Sequence, residues 1–346
     1  MTRAATIKNH RLLCLVAAAA MVIAAVMALI VPRVARAAEN EGITGSFTVG
    51  NAAPVLTEAA TLYNSGHTGT VTSMTPQTAY EVKVSVADAG TIDDLNTVIV
   101  SIFYDADSDN DTADIPAAGT QACFIMTCTV GGANGTWAGN PSSSTSWSID
   151  SDNCVQPSLT AGSGDFYFRF TPGKVATEAT DWDVYVVATD DSVQTDSWYD
   201  TATGAYDMLW YGEINVTTAS VDWGSVLAGM DFTDPAADQT VAVDYISNGV
   251  WDASVATGAT WGSATLDING APAANNFSVK AWRSASEPSA DFVTTTASDC
   301  VIDDTGTLTG ESGVTDADNT LYLDLGTPFV DGTYSGTITF YITNGS

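Results

Sequence analysis

Basic residues almost vanish from this chain once its first 37 positions are set aside. It has ten Lys and Arg in all, and five of them (Arg3, Lys8, Arg11, Arg33 and Arg36) lie in that first stretch. All 41 Asp and Glu lie after position 38, where only Lys83, Arg169, Lys174, Lys280 and Arg283 oppose them, a formal charge of −36. A surface of that sign repels polyanions, so nucleic acid and anionic lipid are not expected partners. Histidine is nearly absent as well. His10 sits in the leading stretch and His67 is the single one beyond it. A zinc centre needs more His or Cys than the chain supplies, while a Ser-His-Asp triad built on His67 is possible in principle. Long helical periodicity is missing after the first 37 residues, and no second long apolar run follows the first.

The first stretch itself has three parts. Arg3, Lys8 and Arg11 form a basic end, Leu12 to Val31 is apolar, and Ala35-Arg36-Ala37 gives a small-x-small site after Pro32. That order matches an export signal over 1–37, with cleavage before Ala38. An apolar run of about 20 residues also suffices to span a bilayer, so a retained anchor is the other reading. Cys14 lies within the run and has the wrong neighbours for a lipoprotein cysteine. Once the leader is cut, no membrane insertion is expected.

Period-two patterns with turn residues between them dominate the rest. Val82, Val84 and Val86 alternate with Glu81, Lys83 and Ser85, and Thr97 to Tyr104 is nearly all apolar. Phe166, Phe168 and Phe170 share one face against Tyr167 and Arg169, and Trp182, Val184 and Val186 repeat the pattern. Met208 to Thr217 reads as a further strand. A second set covers Thr240 to Ile246, Asp252 to Trp261, Phe277 to Trp282, Leu321 to Leu325 and the alternation of Ile338, Phe340 and Ile342. Short strands at this spacing imply an all-β chain with two tandem antiparallel β-sandwich domains of immunoglobulin-like type. The expected organisation is a leader at 1–37, an extension at 38–51, a first sandwich at 52–217 and a second at 218–346. The extension carries Ile43, Ser46, Phe47 and Val49. Its alternation suits a strand that pairs with a neighbour's sheet edge.

The segment Met74-Thr75-Pro76, Ala79-Tyr80-Glu81-Val82, Asp88, Asp93-Asp94-Leu95, Val98 and Phe103-Tyr104-Asp105 resembles a recurrent module of prokaryotic surface proteins. In that module an immunoglobulin-like sandwich carries an acidic turn after one strand and a Tyr-Asp end on the next. Phe170-Thr171-Pro172-Gly173-Lys174 through Asp190, and the Val221–Gly229 region, are similar to parts of secreted proteins of bacterial and archaeal envelopes. The resemblance to surface-layer-like envelope proteins implies extracellular display at the cell surface and assembly. It supplies no catalytic residues.

Candidate sites follow from residue type and spacing. Asp105, Asp107, Asp109 and Asp111 stand at positions 1, 3, 5 and 7 of an acidic loop, with Asp114 in reach of closing it. Alternate oxygens in a curled loop converge on a hard cation, so calcium is the expected cofactor; the bland alternative is a solvated acidic turn. Asp88, Asp93 and Asp94 form a second acidic turn at the other end of the Thr97–Tyr104 strand, and Asp303, Asp304, Glu311, Asp316 and Asp318 a third cluster. Four cysteines follow the leader: Cys123, Cys128, Cys154 and Cys300. A hairpin turning near Gly135 to Ala138 sets Cys123 beside Cys154, the favoured disulfide. Cys128 and Cys300 then stay free or pair across domains, and four packed thiols is the alternative. Asn134, Asn215 and Asn276 begin sequons suited to glycosylation, as do Asn110 and Asn344.

No nucleophile motif accompanies His67, and an enzyme is not expected. The nine tryptophans read mainly as core, with Trp198 in a polar stretch as the candidate for a sugar-stacking face. The reading is a secreted, acidic cell-surface structural or interaction protein, calcium-stabilised, that associates with itself or other envelope proteins. The alternative is a carbohydrate-binding or adhesin module with glycans as partners.

Overall fold

The computed structural model describes residues 51–108, 115–119, 121–141, 147–199, 205–282, 292–306 and 315–345, with side chains at 303–306, 315–318 and Pro235 left aside. Every strand expected above from Val82 onward lies within these residues. The fold is all-β, with several sheets and, among the described residues, no α-helix. No helix among them is long and apolar enough to cross a membrane.

The first twelve strands are β1 (Val55–Leu56), β2 (Thr61–Asn64), β3 (Ser73–Met74), β4 (Tyr80–Ala87), β5 (Leu95–Tyr104), β6 (Cys123–Thr129), β7 (Thr136–Asn140), β8 (Ser148–Ile149), β9 (Ser163–Thr171), β10 (Ala179–Asp190), β11 (Thr195–Tyr199) and β12 (Tyr206–Met208). They form two sheets. One has the order β1-β4-β9-β8, with β2 also on β4; the other runs β3-β12-β10-β5-β6-β7, with β11 also on β10. Alternation decides which side chains meet between the sheets. Val82, Val84, Val86, Phe166, Phe168 and Phe170 face Val98, Val100, Ile102, Phe124, Met126, Trp182, Val184 and Val186, all fully or almost fully buried. Trp147 stacks on Phe124 at 5.3 Å and leans on Trp182 at 5.4 Å between ring centres.

The remaining strands are β13 (Gly212–Val216), β14 (Asp238–Ser247), β15 (Trp251–Thr257), β16 (Thr260–Trp261), β17 (Ala264–Leu266), β18 (Asn276–Trp282), β19 (Val301–Gly306), β20 (Thr315–Leu325) and β21 (Ile338–Asn344). One sheet has the order β13-β14-β20-β18-β17-β16 and the other β19-β15-β21. Between them lies a second core, with Val241, Val243, Tyr245, Trp251, Val255, Phe277, Val279, Leu321 and Leu323. Tyr245 stacks on Trp251 at 4.6 Å.

The expected strand from Met208 to Thr217 is split. Its first residue ends β12 in a sheet of the first core, while Gly212–Val216 pairs with β14 in a sheet of the second. The change of sheet therefore falls at 209–211, ahead of the boundary read from the sequence. Residues 51–346 cluster as one unit. The junction explains this. Asn248 is fully buried, donates to the carbonyls of Ala176 and Leu209, and accepts from Tyr211 N–H. Lys174 Nζ meets Glu213 at 2.7 Å beside it.

Candidate functional site

Beyond Val216 the edge of β14 loses its neighbour. Thr217 N–H still reaches Ala242 O and Ala242 N–H reaches Thr218 Oγ1; the chain then leaves the sheet. It carries no strand until Asp238. A second strandless segment, 326–337, precedes β21. The two segments face each other across a cleft of about 670 Å³. Its floor is apolar because it belongs to the second core: Val241, Phe277, Leu321, Leu323 and Phe340, all buried, with Val221, Trp223, Phe329 and Tyr334 packed against them. Aromatic rings form the sides, with Trp223 and Trp261 at 5.9 Å, Trp261 and Phe277 at 4.7 Å, and Phe329 edge-on to Tyr334 at 5.0 Å.

The rings are fixed by polar tethers. Trp223 Nε1 donates to Ala237 O, Trp261 Nε1 to Thr257 Oγ1, and Tyr334 OH to Val330 O. Gly336 lies against Trp261 so closely that a Cβ there would fall 2.1 Å from the indole. Among the described residues, 219–226 and 331–336 make no backbone–backbone hydrogen bond. Their backbone is held by local side-chain contacts instead, as where Gly224 N–H donates to Asp222 Oδ1 at 2.7 Å. Asp222 and Asp331 are the charged residues that line it, both acidic.

Sequence reading missed this cleft. Its walls carry Ser, Thr, Gly and Asp, which look like ordinary loop. The one legible signal is two long stretches without strand alternation flanking strands that need cover.

The acidic loop fares differently. Asp105 is buried and Asp107 exposed; Asp109, Asp111 and Asp114 lie outside the described residues. Asp105 Oδ1 accepts from Ser108 N–H, and Ser108 Oγ donates to Asp181 Oδ2, so Asp181 of β10 joins the loop, which sequence spacing did not suggest. At the other end of β5, Asp94 folds over Gly90 toward Asp88: a Cβ on Gly90 would lie 1.7 Å from Asp94 Oδ2 and 3.3 Å from Asp88 Oδ1. Asp88 is buried, and its Oδ2 has no hydrogen-bond partner among the described residues. No group of three or more His, Cys, Asp or Glu stands at metal-binding spacing among the described residues. The side chains of Asp303, Asp304, Glu311, Asp316 and Asp318 lie outside the description.

The expected Cys123–Cys154 bond is not formed. None of the four described cysteines is in a disulfide, and all are buried. The reason lies in the hairpin. Its turn spans 130–135, where Gly131, Gly132 and Gly135 take positive φ, earlier than the turn read from sequence. β7 ends at Asn140 opposite Ile125, so no residue of β7 stands opposite Cys123. Cys154 instead lies near Cys128, and Cys300 belongs to the second core.

His67 meets Glu81, which is 3% exposed, with Nδ1 2.9 Å from Oε2. The contact is an ion pair when the imidazole is protonated. Arg169 sits 3.8 Å from the other Glu81 oxygen and 3.2 Å from Asp150. This polar row covers the outer face of β4 and β9. All nine tryptophans fall within the described residues, and none of them is exposed. Trp198, the expected sugar-stacking residue, packs half-buried against the first core from β11. Of the sequons, Asn134 Nδ2 donates to Cys154 O and Asn215 Nδ2 to Asp244, while Asn276 is half-buried at the start of β18.

No family model and no curated protein matches the chain. Among solved structures it is similar to the chaperone–tip adhesion subunit pre-assembly complex CsuC–CsuE from archaic chaperone-usher Csu pili of Acinetobacter baumannii. The identity is 11%, over 82% of this chain and 99% of that one, with a TM-score of 0.28. It is also similar to the secreted serine protease VesC from Vibrio cholerae, at 10% identity over 79% of this chain and 49% of that one, with a TM-score of 0.16. At these scores neither likeness bears on activity.

Proposed function

We propose that the chain is an exported interaction protein of a cell surface, built as two immunoglobulin-like sandwiches, and that the cleft of the second sandwich takes up an extended polypeptide segment. The cleft carries this reading. An apolar floor beneath walls whose backbone is in no sheet ladder suits strand addition, in which main-chain hydrogen bonds supply affinity and alternate side chains fill the floor. The occupant proposed is residues 38–50 of a second copy. In that stretch Ile43, Phe47 and Val49 fall on one face of an extended chain, with Thr44, Ser46 and Thr48 on the other. The result is head-to-tail assembly, a heterologous contact that propagates.

The test uses the mature protein from Ala38, followed by light scattering and electron microscopy. Assembly that is blocked by a synthetic peptide of residues 38–50 and by Ser335→Trp in the cleft wall is the expected result. Unchanged assembly on deleting 38–50 refutes the occupant. A monomer that instead gives hits on a glycan array, lost in Trp223→Ala, supports the carbohydrate-binding reading.

Calcium belongs to this proposal as a stabiliser of the acidic turns. Isothermal titration should give heat that is lost in Asp105→Asn/Asp107→Asn; an equal loss in Asp88→Asn alone would move the ion to the Asp88 turn. No heat with the parent protein removes calcium from the account.

A further inference from the structure

The turn between β6 and β7 does more than reverse the chain. It reaches across the first sandwich and docks on residues 154–156, which are pinned to β9 through the bridge between Val155 and Tyr167. Asn134 Nδ2 donates to Cys154 O at 2.9 Å, and Gln156 N–H donates to Asn134 Oδ1 at 3.1 Å. Gly131 and Gln156 exchange two further bonds, at 3.3 and 3.0 Å. Cys128 lies at this turn end of β6, opposite Trp137.

Gly135 measures how closely the two sheets meet there. A Cβ on it would stand 3.0 Å from Cys128 Sγ and 2.9 Å from Gln156 Oε1. The Cys128 sulfur therefore presses on the same spot as a side chain two residues from Cys154. Cys154 Sγ accepts from Arg169 N–H at 3.2 Å on the facing sheet. Both thiols are almost fully buried. Cys123 is at the far end of β6, about 17 Å from Cys128 at strand rise.

We propose that Cys128 and Cys154 are a cross-linking site, joined as an inter-sheet disulfide when the chain folds in an oxidising compartment. The electron acceptor is a disulfide of a small thiol or of an oxidoreductase. One cysteine thiolate attacks it and expels a thiolate. The second cysteine's thiolate then attacks the protein sulfur of that mixed disulfide, forms the Cys128–Cys154 bond and expels the acceptor's other sulfur as a thiolate. The protein loses two electrons and two protons, and the acceptor leaves as two thiols. Timing follows from burial, which raises the Cys128 thiol to about 12 and the Cys154 thiol to about 11. The thiolate is the attacking form, so exchange runs before the sheets pack and stops afterwards.

The mature protein is unfolded, reduced and refolded with glutathione disulfide or with reduced glutathione. It is then alkylated and mapped by peptide mass spectrometry without reduction. The expected product of the oxidising arm is a Cys128–Cys154 linked peptide with Cys123 and Cys300 alkylated. Its Tm should exceed that of the reducing arm, and the difference should vanish in Cys128→Ser/Cys154→Ser but persist in Cys123→Ser. A Cys123–Cys154 link, a link to Cys300, or four alkylated thiols in the oxidising arm overturns the proposal.

Discussion

Single residues decide the two joints of this molecule. Asn248 makes three hydrogen bonds across the junction between the cores from a fully buried position. Asn248→Ala leaves two carbonyls and one N–H without that partner. The expected cost is about 2–3 kcal/mol, measured by urea unfolding. The transitions of the two cores should move apart, because three of the bonds that couple them are gone while Lys174–Glu213 and the bond from Glu178 N–H to the residue 248 carbonyl remain. Gly336 is the matching position at the cleft, where Trp261 fills the space of any Cβ. Gly336→Ala should cost about 1–3 kcal/mol through displacement of the indole and shift tryptophan emission. An unchanged emission maximum would show that the ring does not line the cleft as described.

Elements differ in how much of them local pattern records. β4, β9, β10 and β21 follow the alternation of Val82-Val84-Val86, Phe166-Phe168-Phe170, Trp182-Val184-Val186 and Ile338-Phe340-Ile342, since period two marks the buried face locally. The β6–β7 turn comes earlier than its sequence suggests because Gly131 and Gly132 already supply positive φ before Gly135. The strand Gly212–Val216 joins the second core rather than the first, since pairing partners are not written in local pattern. That strand also carries a pH-sensitive contact. Lys174 and Tyr211 hydrogen bonds hold the Glu213 carboxyl below its ordinary value. A depressed carboxylate contributes stability above its unfolded value, and that contribution is lost as pH falls through the folded one. Carboxyl NMR titration should place Glu213 below the usual glutamate range, rising toward it in Lys174→Met. No change in that variant would show that Lys174 is not its partner.

At the scale of the molecule, the scarce cations sit at defined places. Lys83 pairs with Glu58 and Asp165, Arg169 with Glu81 and Asp150, and Lys174 with Glu213, while Lys280 lies over the rings of Phe232 and Phe292. The acids far outnumber these cations, so net repulsion remains. Salt should therefore stabilise the mature protein, because the screening length falls from about 30 Å at 0.01 M to about 3 Å at 1 M. Thermal unfolding should move upward steadily with sodium chloride. A flat or falling Tm would mean that the mapped ion pairs outweigh the net repulsion.

Composition and alternation by themselves determined the charge, the all-β class and which side of β9, β10 and β21 is the more buried. These are local properties, set by side-chain chemistry and the two-residue repeat of an extended chain. Which cysteine lies beside Cys154, where the chain changes sheets, how Glu81 is held, and the cleft between 218–228 and 329–337 were decided only by tertiary structure. Each depends on residues far apart in sequence meeting across a sheet or between sheets, and no local pattern records that pairing.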